Sequence, residues 1–286
     1  MVLEDWISSF LWVLRVEKRI SLNSYKSYFY DFKIFSDWIL FYKKDIFNED
    51  LVSEYFLYLK NERKNLEPSI DRKINLLISF FKFCNQEKGA SFVIKDRKKE
   101  RKNKIYRPFL EGGDLLKIRS FLSCGNDFRL AAIVEVLYST GLRISELLKL
   151  RCVDLHEIKK NKSLQIVGKG GGKRVVFFSS SSILFLDQYV FNMNFKNEYL
   201  FNITRQRVFQ LLKNLGVALN IDLSTVFPHS FRHRLLTDLV KNGMNLVSVQ
   251  KIAGHKQIST TEKYTHVEDF LYEEIYKFHP LVKKFS

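Results

Sequence analysis

Two histidines, two arginines, a lysine and a tyrosine recur in the second half of this chain, in short clusters that suit an attack on a phosphodiester. His255 and Tyr264 stand in His255-Lys256-Gln257-Ile258-Ser259-Thr260-Thr261-Glu262-Lys263-Tyr264, a phenol with an imidazole close by in sequence, which is a nucleophile with an acid–base partner. His229 and Arg232 lie three apart just after Pro228, a residue suited to the first turn of a helix, so both project from one face. Aimed together, they can share the two non-bridging oxygens of one phosphate. Arg143, in Thr140-Gly141-Leu142-Arg143-Ile144-Ser145-Glu146, is expected at a helix start, where the dipole already favours an anion. Glu146 lies one turn on and can hold the guanidinium by a charge-assisted hydrogen bond. Lys169, in Gly168-Lys169-Gly170-Gly171-Gly172-Lys173, is expected at a hairpin tip, from which it can protonate a leaving oxygen. Taken singly, each cluster has a plainer explanation: a surface Arg–Glu pair, a chance HxxR spacing, or one of 13 tyrosines that only packs. A nucleotide-binding P-loop is excluded, because Lys173 is followed by Arg174 where that motif needs Ser or Thr.

These side chains need a scaffold, and the pattern predicts a mainly helical one. Tyr25, Tyr28, Phe29, Phe32, Phe35 and Ile39 recur at helical spacing behind Ser21, a suitable N-cap. Further helices are expected over Asp50–Lys60 and over Ser69–Cys84 after Pro68, their apolar stripes serving as core. Lys26, Lys33, Arg72 and Lys73 either face a polyanion or belong to a solvated face. Lys95 to Arg107 holds eight basic and two acidic residues and very few apolar ones, so it reads as an extended linker ending at Pro108. Helices resume at Asp114–Phe121, Phe128–Thr140 and Ile144–Leu150, with Gly141 suited to end the second of them. Leu164–Val167 and Arg174–Phe178 flank the glycine-rich tip as an antiparallel hairpin, and helices then continue to the end. Gly254 is expected to close a short helix before His255, and Ser259 with Glu262 has capping-box spacing for a new helix carrying Tyr264.

A length of 286 residues suggests two domains. The formal charge of +16 favours a polyanionic partner, nucleic acid before an anionic membrane, although an AT-rich codon usage would also raise the lysine content. Cys84, Cys124 and Cys152 lie far apart, as in a reducing compartment, and suggest neither disulfides nor a zinc site. With neither a signal-peptide pattern nor a long apolar run, a cytoplasmic location is expected.

In this order, the motifs TGLRISEL, GKGGGKR, HSFRH and GHKQISTTEKYTH resemble the tyrosine recombinase (phage integrase) family, and most of all its bacterial Xer members. The resemblance implies a helical core-binding domain at 1–94, a basic linker at 95–107, and a mostly α catalytic domain with a small antiparallel sheet at 108–286. It implies Arg143, Lys169, His229, Arg232, His255 and the nucleophile Tyr264 as catalytic residues, supported by Glu146. The family hairpin reads GKGxKxR, and Gly172 here replaces its second lysine, so Lys173 is the alternative to Lys169. Lys95, Arg97, Lys98, Lys99, Arg101, Lys102, Lys104, Lys173 and Arg174 are expected on DNA phosphates.

The implied activity is site-specific strand exchange through a 3′-phosphotyrosyl bond, without cofactor or metal. The implied setting is a homo- or hetero-tetramer on double-stranded recombination sites, with a second recombinase or an accessory DNA translocase as further partners. The stretch Phe270–Phe278 with His279-Pro280 is expected to dock into a neighbouring subunit. Within the family the alternative is an integrase or resolvase of a phage, plasmid or transposon. Outside it stand a non-catalytic DNA-binding protein and a type IB topoisomerase.

Overall fold

The computed structural model describes residues 2–92, 109–168, 171–192, 198–254, 271, 274–275 and 277–281. The chain divides into two units, Met1–Lys104 and Ile105–Ser286. The basic stretch 95–107 lies outside the described residues.

The first unit holds α1 (Val2–Val16), α2 (Leu22–Phe41), α3 (Leu51–Leu57) and α4 (Glu67–Glu87). Ser21 caps α2 as expected, its hydroxyl accepting from the Ser24 N–H at 3.1 Å. Phe32, Phe35, Trp38 and Ile39 are buried, whereas Phe29 is half exposed. The line through residues 28, 32, 35 and 39 defines the inward face, and Phe29 sits roughly a quarter turn off it. After Leu57 the chain widens into a π-helical turn over Tyr58–Glu62, which keeps Tyr58 against the rings of Trp38 and Tyr55. α4 begins two residues before the expected start, with Pro68 in the first turn, where its missing N–H costs nothing. Neither reading of Lys73 holds: the side chain is buried and its Nζ lies 2.5 Å from Asp31, which Arg72 also engages. Burying Asp31 requires neutralising charge nearby, and two cations on one turn of α4 supply it.

The second unit contains α5 (Gly112–Cys124), α6 (Phe128–Thr140), α7 (Ile144–Leu147), α8 (Asp154–Asn161), β1 (Ser163–Val167), β2 (Lys173–Phe177), α9 (Ser180–Asn192), α10 (Arg205–Ala218), α11 (Pro228–Lys241) and α12 (Leu246–Ala253). The mainly α class with a small antiparallel sheet is therefore as the sequence indicated. Every residue of α6 from Leu130 to Thr140 is buried, as a helix apolar on all sides must be, and α9 and α11 pack against it. Its one carboxylate, Glu135, is matched by Arg119 and by the Ser181 hydroxyl. The strands pair from Ser163↔Phe177 to Val167↔Lys173, and the bond from the Gly168 N–H to Gly172 O (2.8 Å) closes the base of the tip.

α7 is shorter than the expected Ile144–Leu150. Its continuation is captured by a distant segment: Leu200 N–H donates to Leu150 O and Cys152 N–H to Glu198 O, at 2.8 and 2.9 Å. Those bonds take the backbone groups that a longer helix would have used.

The described residues of the tail pack on their own unit. Leu271, Ile275 and Leu281 belong to the apolar core of their own unit. His279, 2% exposed, places Nε2 2.9 Å from Ser139 O, while its Nδ1 accepts from the Leu281 N–H. Asn242 donates to Phe278 O. In the single chain, the described part of this segment packs on Ser139 of α6 and on Asn242, just past α11, and buries apolar side chains in the core of its own unit.

Candidate functional site

Glu146 is the hub of the site. It lies in α7 immediately after the tight turn that ends α6. Thr140 shapes that turn, donating its hydroxyl to Val136 O and accepting from the Leu142 N–H, and Gly141 closes it with φ +61°. A side chain at Gly141 would meet Leu235 Cδ2 at 3.1 Å, so both conformation and space call for glycine. The turn sets Arg143 at the N-cap of α7. Its N–H donates to Glu146 Oε2 at 2.8 Å and its Nη1 to Oε1 at 3.0 Å.

The same carboxylate accepts a second, bidentate partner. Arg174 on β2 donates Nη1 to Oε1 at 2.9 Å and Nη2 to Oε2 at 2.7 Å, with only 8% of its side chain exposed. Burial alone would push the Glu146 carboxyl up. The hydrogen bonds from Arg174 and the Arg143 N–H, with the Arg174 charge, outweigh it and hold the pKa down to about 2. Arg174, read from the sequence as a phosphate contact, is thus placed behind the site and paired with its acid, whereas Lys173 beside it is exposed.

Arg232 enters from α11. Pro228 starts that helix, and Ser230 fixes its first turn by accepting from the Phe227 N–H and donating to Phe227 O. Arg232 is 2% exposed, and its two terminal nitrogens donate to Gly141 O and Ala253 O. Burial, then the charges of Arg143 and Arg174, lower its pKa to about 10, so it remains a cation at neutral pH. His229 lies on the exposed side of the same helix, three residues earlier.

The third contribution is the end of α12, closed by Gly254 at φ +59° as expected. Its terminal carbonyls, the negative end of the helix, receive arginines. Besides Arg232 on Ala253 O, Arg143 Nη2 lies 3.5 Å from both Ala253 O and Gly254 O. Those two contacts are long, and Arg143 keeps a third of its side chain exposed. Three guanidinium groups around one carboxylate leave positive charge in excess, fixed before any ligand arrives.

The structure therefore brings together Arg143, Glu146 and Arg232, with His229 on the same helix as Arg232. Lys169, His255, Ser259, Glu262 and Tyr264 lie outside the described residues, as do Lys95, Arg97, Lys98, Lys99, Arg101, Lys102 and Lys104. In sequence, His255 directly follows Gly254, and Lys169 directly follows Gly168. Sequence reasoning missed the Arg174–Glu146 pair and the roles of Thr140 and Ser230. The burial of Glu146, which leaves acceptor capacity beyond what Arg143 fills, is visible only in the fold.

Residues 109–270 match the model of the phage integrase family. The chain is 31% identical to the tyrosine recombinase XerD of Oceanobacillus iheyensis, covering 98% of this chain and 99% of that protein. It is 30% identical to the tyrosine recombinase XerD of Listeria innocua, covering 97% and 99%. Among solved structures, its fold is similar to that of the Tn1549 transposon integrase in complex with circular intermediate DNA, at TM-score 0.71, 17% identity, and 95% and 98% coverage. It is also similar to XerH recombinase bound to palindromic difH substrate, at TM-score 0.65, 18% identity, and 92% and 82% coverage.

Proposed function

The chain belongs to the phage integrase family and is a tyrosine site-specific recombinase, and from that premise we propose how its residues divide the work on DNA. The phosphate under attack sits on Arg143 and Arg232, with His255 as a third donor. The Tyr264 phenol attacks phosphorus in line, giving its proton to His229. A 3′-phosphotyrosyl bond forms as the bond to the 5′-oxygen breaks, and Lys169 protonates that oxygen as it leaves, giving a free 5′-hydroxyl. A 5′-hydroxyl from the partner duplex reverses the step, so the energy of the broken bond is kept and no nucleotide cofactor is consumed.

One observation carries this reading. Two arginines from separate segments, Arg143 and Arg232, converge on the carbonyl end of α12, the helix whose chain continues into His255 and Tyr264. Donors fixed in this way stabilise charge that develops on phosphate oxygens, and losing one costs about 10²- to 10³-fold in rate.

The partner is double-stranded DNA, as the charge of +16 supports, with Lys173 and the basic stretch Lys95 to Lys104 on its phosphates. Exchange between two duplexes breaks four strands, one tyrosine for each, which calls for four chains on two sites. The near-complete overlap with XerD proteins supports a role on chromosome or plasmid dimers.

The test is a suicide duplex, nicked near a candidate site and incubated with wild type and with Tyr264→Phe. A covalent protein–DNA band on a denaturing gel that vanishes in the variant is expected. A band that persists in Tyr264→Phe would assign the nucleophile elsewhere, and salt-sensitive binding with no band for wild type would make the chain a binding protein.

A further inference from the structure

Arg174 has the surroundings of a structural pin. Both terminal nitrogens are taken up by one carboxylate in the two-point geometry that only a guanidinium offers. With 8% of this side chain exposed, a phosphate could reach it only by opening the packing around it and uncovering a buried Glu146. Its third donor, Nε, is buried and has no hydrogen-bond partner among the described residues.

Three backbone segments close around it. Gly254 packs so tightly that a Cβ there would lie 3.0 Å from Arg174 Cδ, 3.3 Å from Nη1 and 3.4 Å from Nε. On the hairpin side, a Cβ on Gly168 would meet Arg174 Nη1 at 3.5 Å and Glu146 Oε1 at 3.9 Å. The third segment is the start of α7, reached through Glu146. The base of the hairpin that carries Lys169, the turn that carries Arg143, and the residue before His255 thus share one side chain.

We infer that Arg174 is a positioning residue for strand cleavage: it holds Glu146 so that Arg143 stays aimed at the phosphate, and it ties the hairpin to the segment leading into His255. This rests on the reading that Arg143 engages the scissile phosphate. Arg174 itself touches no DNA, and the neighbouring exposed Lys173 does.

Binding and cleavage separate the two roles. Arg174→Gln, Arg174→Lys, Gly254→Ala and Lys173→Gln are compared with wild type in single-turnover cleavage of the suicide duplex, and in equilibrium binding over a salt series. Arg174→Gln is expected to bind the site within about twofold of wild type with an unchanged salt slope, and to cleave about 10- to 100-fold more slowly, the scale set by ångström misplacement of a reacting group. Arg174→Lys keeps the charge but not the fork, and recovers only part of the rate. Gly254→Ala disturbs the same contact from the opposite side and slows cleavage likewise. Lys173→Gln should instead weaken binding and lower the salt slope by about one.

A pH profile adds a readout that simple loosening would not move. In Arg174→Gln, Glu146 keeps only Arg143 and the nearby charge of Arg232, so it protonates more readily and the acid limb of cleavage moves to higher pH. Wild-type cleavage by Arg174→Gln, or a loss of affinity and salt slope like that of Lys173→Gln, would overturn the inference. Should Arg174→Gln fail to fold, the decision passes to Arg174→Lys and Gly254→Ala, and wild-type rates in both would overturn it. If wild type itself forms no covalent band, the proposed function fails, and this inference with it.

Discussion

Replacing Glu146 by Gln tests the electrostatics of the site without touching its shape. The carboxyl titrates near 4.5 when unperturbed and at about 2 here. Each unit of that gap is worth about 1.4 kcal/mol, so the carboxylate contributes about 3 kcal/mol to the second unit at neutral pH. The sign follows from proton binding. The folded carboxyl binds its proton more weakly than the unfolded one, so the contribution is complete above about pH 4.5 and drains away as the pH falls towards 2. The stability difference between wild type and Glu146→Gln should therefore be constant from pH 7 to 5, shrink by about 1 kcal/mol at pH 4, and by about 2 kcal/mol at pH 3. Other titrating groups are common to both proteins and cancel in the difference.

Urea unfolding at fixed ionic strength is the assay, followed by far-UV circular dichroism and by amide exchange in α6. Tryptophan fluorescence serves as the internal control, because Trp6, Trp12 and Trp38 all lie in the first unit and should report no change. A difference that stays constant down to pH 3, or grows as the pH falls, would refute the account of Glu146 as an ion held by Arg174 and Arg143.

Two further outcomes are expected. His279 is buried and its pKa lies at about 4, pushed down by burial against the pull of Ser139 O and the Asp238 charge. Since the unfolded chain takes up that proton first, the tail loses stability as the pH falls from about 6.5 to 4. A ring resonance of His279 that titrates at 6.5 in an NMR pH series would contradict the burial. Lys73→Met should lower the stability of the first unit by about 1–3 kcal/mol, less than the loss usual for a broken buried pair because Arg72 still faces Asp31. It should leave the salt dependence of DNA binding unchanged. Thermal unfolding by tryptophan fluorescence and a salt titration check the two halves, and a reduced salt slope would return Lys73 to the DNA surface.

Local chemistry was the legible part. Gly141 and Gly254 could be read as helix ends because few residues other than glycine tolerate the left-handed conformation that such an end requires. Ser21 could be read as a cap for a similar reason. Features that depend on distant partners were not legible. Lys73 looks like any surface lysine until Asp31, two helices earlier in sequence, is brought against it. The early end of α7 depends on residues 198–200, which no local pattern around Leu150 reveals. The tight tail against α6 likewise rests on Ser139, far from His279 in sequence. Arg174 is the sharpest case: its charge suggested DNA, and only the folded geometry shows an acid already occupying both ends of its fork.

The choice of acceptors for Arg232 has a consequence for how this protein can change over generations. Both are main-chain carbonyls, of Gly141 and Ala253, and no codon change can delete a carbonyl. Substitutions around the arginine can alter packing, yet the groups that orient it are supplied by whatever residue occupies those positions, provided the backbone keeps its path. Inherited constraint is thereby concentrated on the few side chains that set that path, the two glycines above all. The surrounding sequence is left free to drift while the arginine keeps its aim.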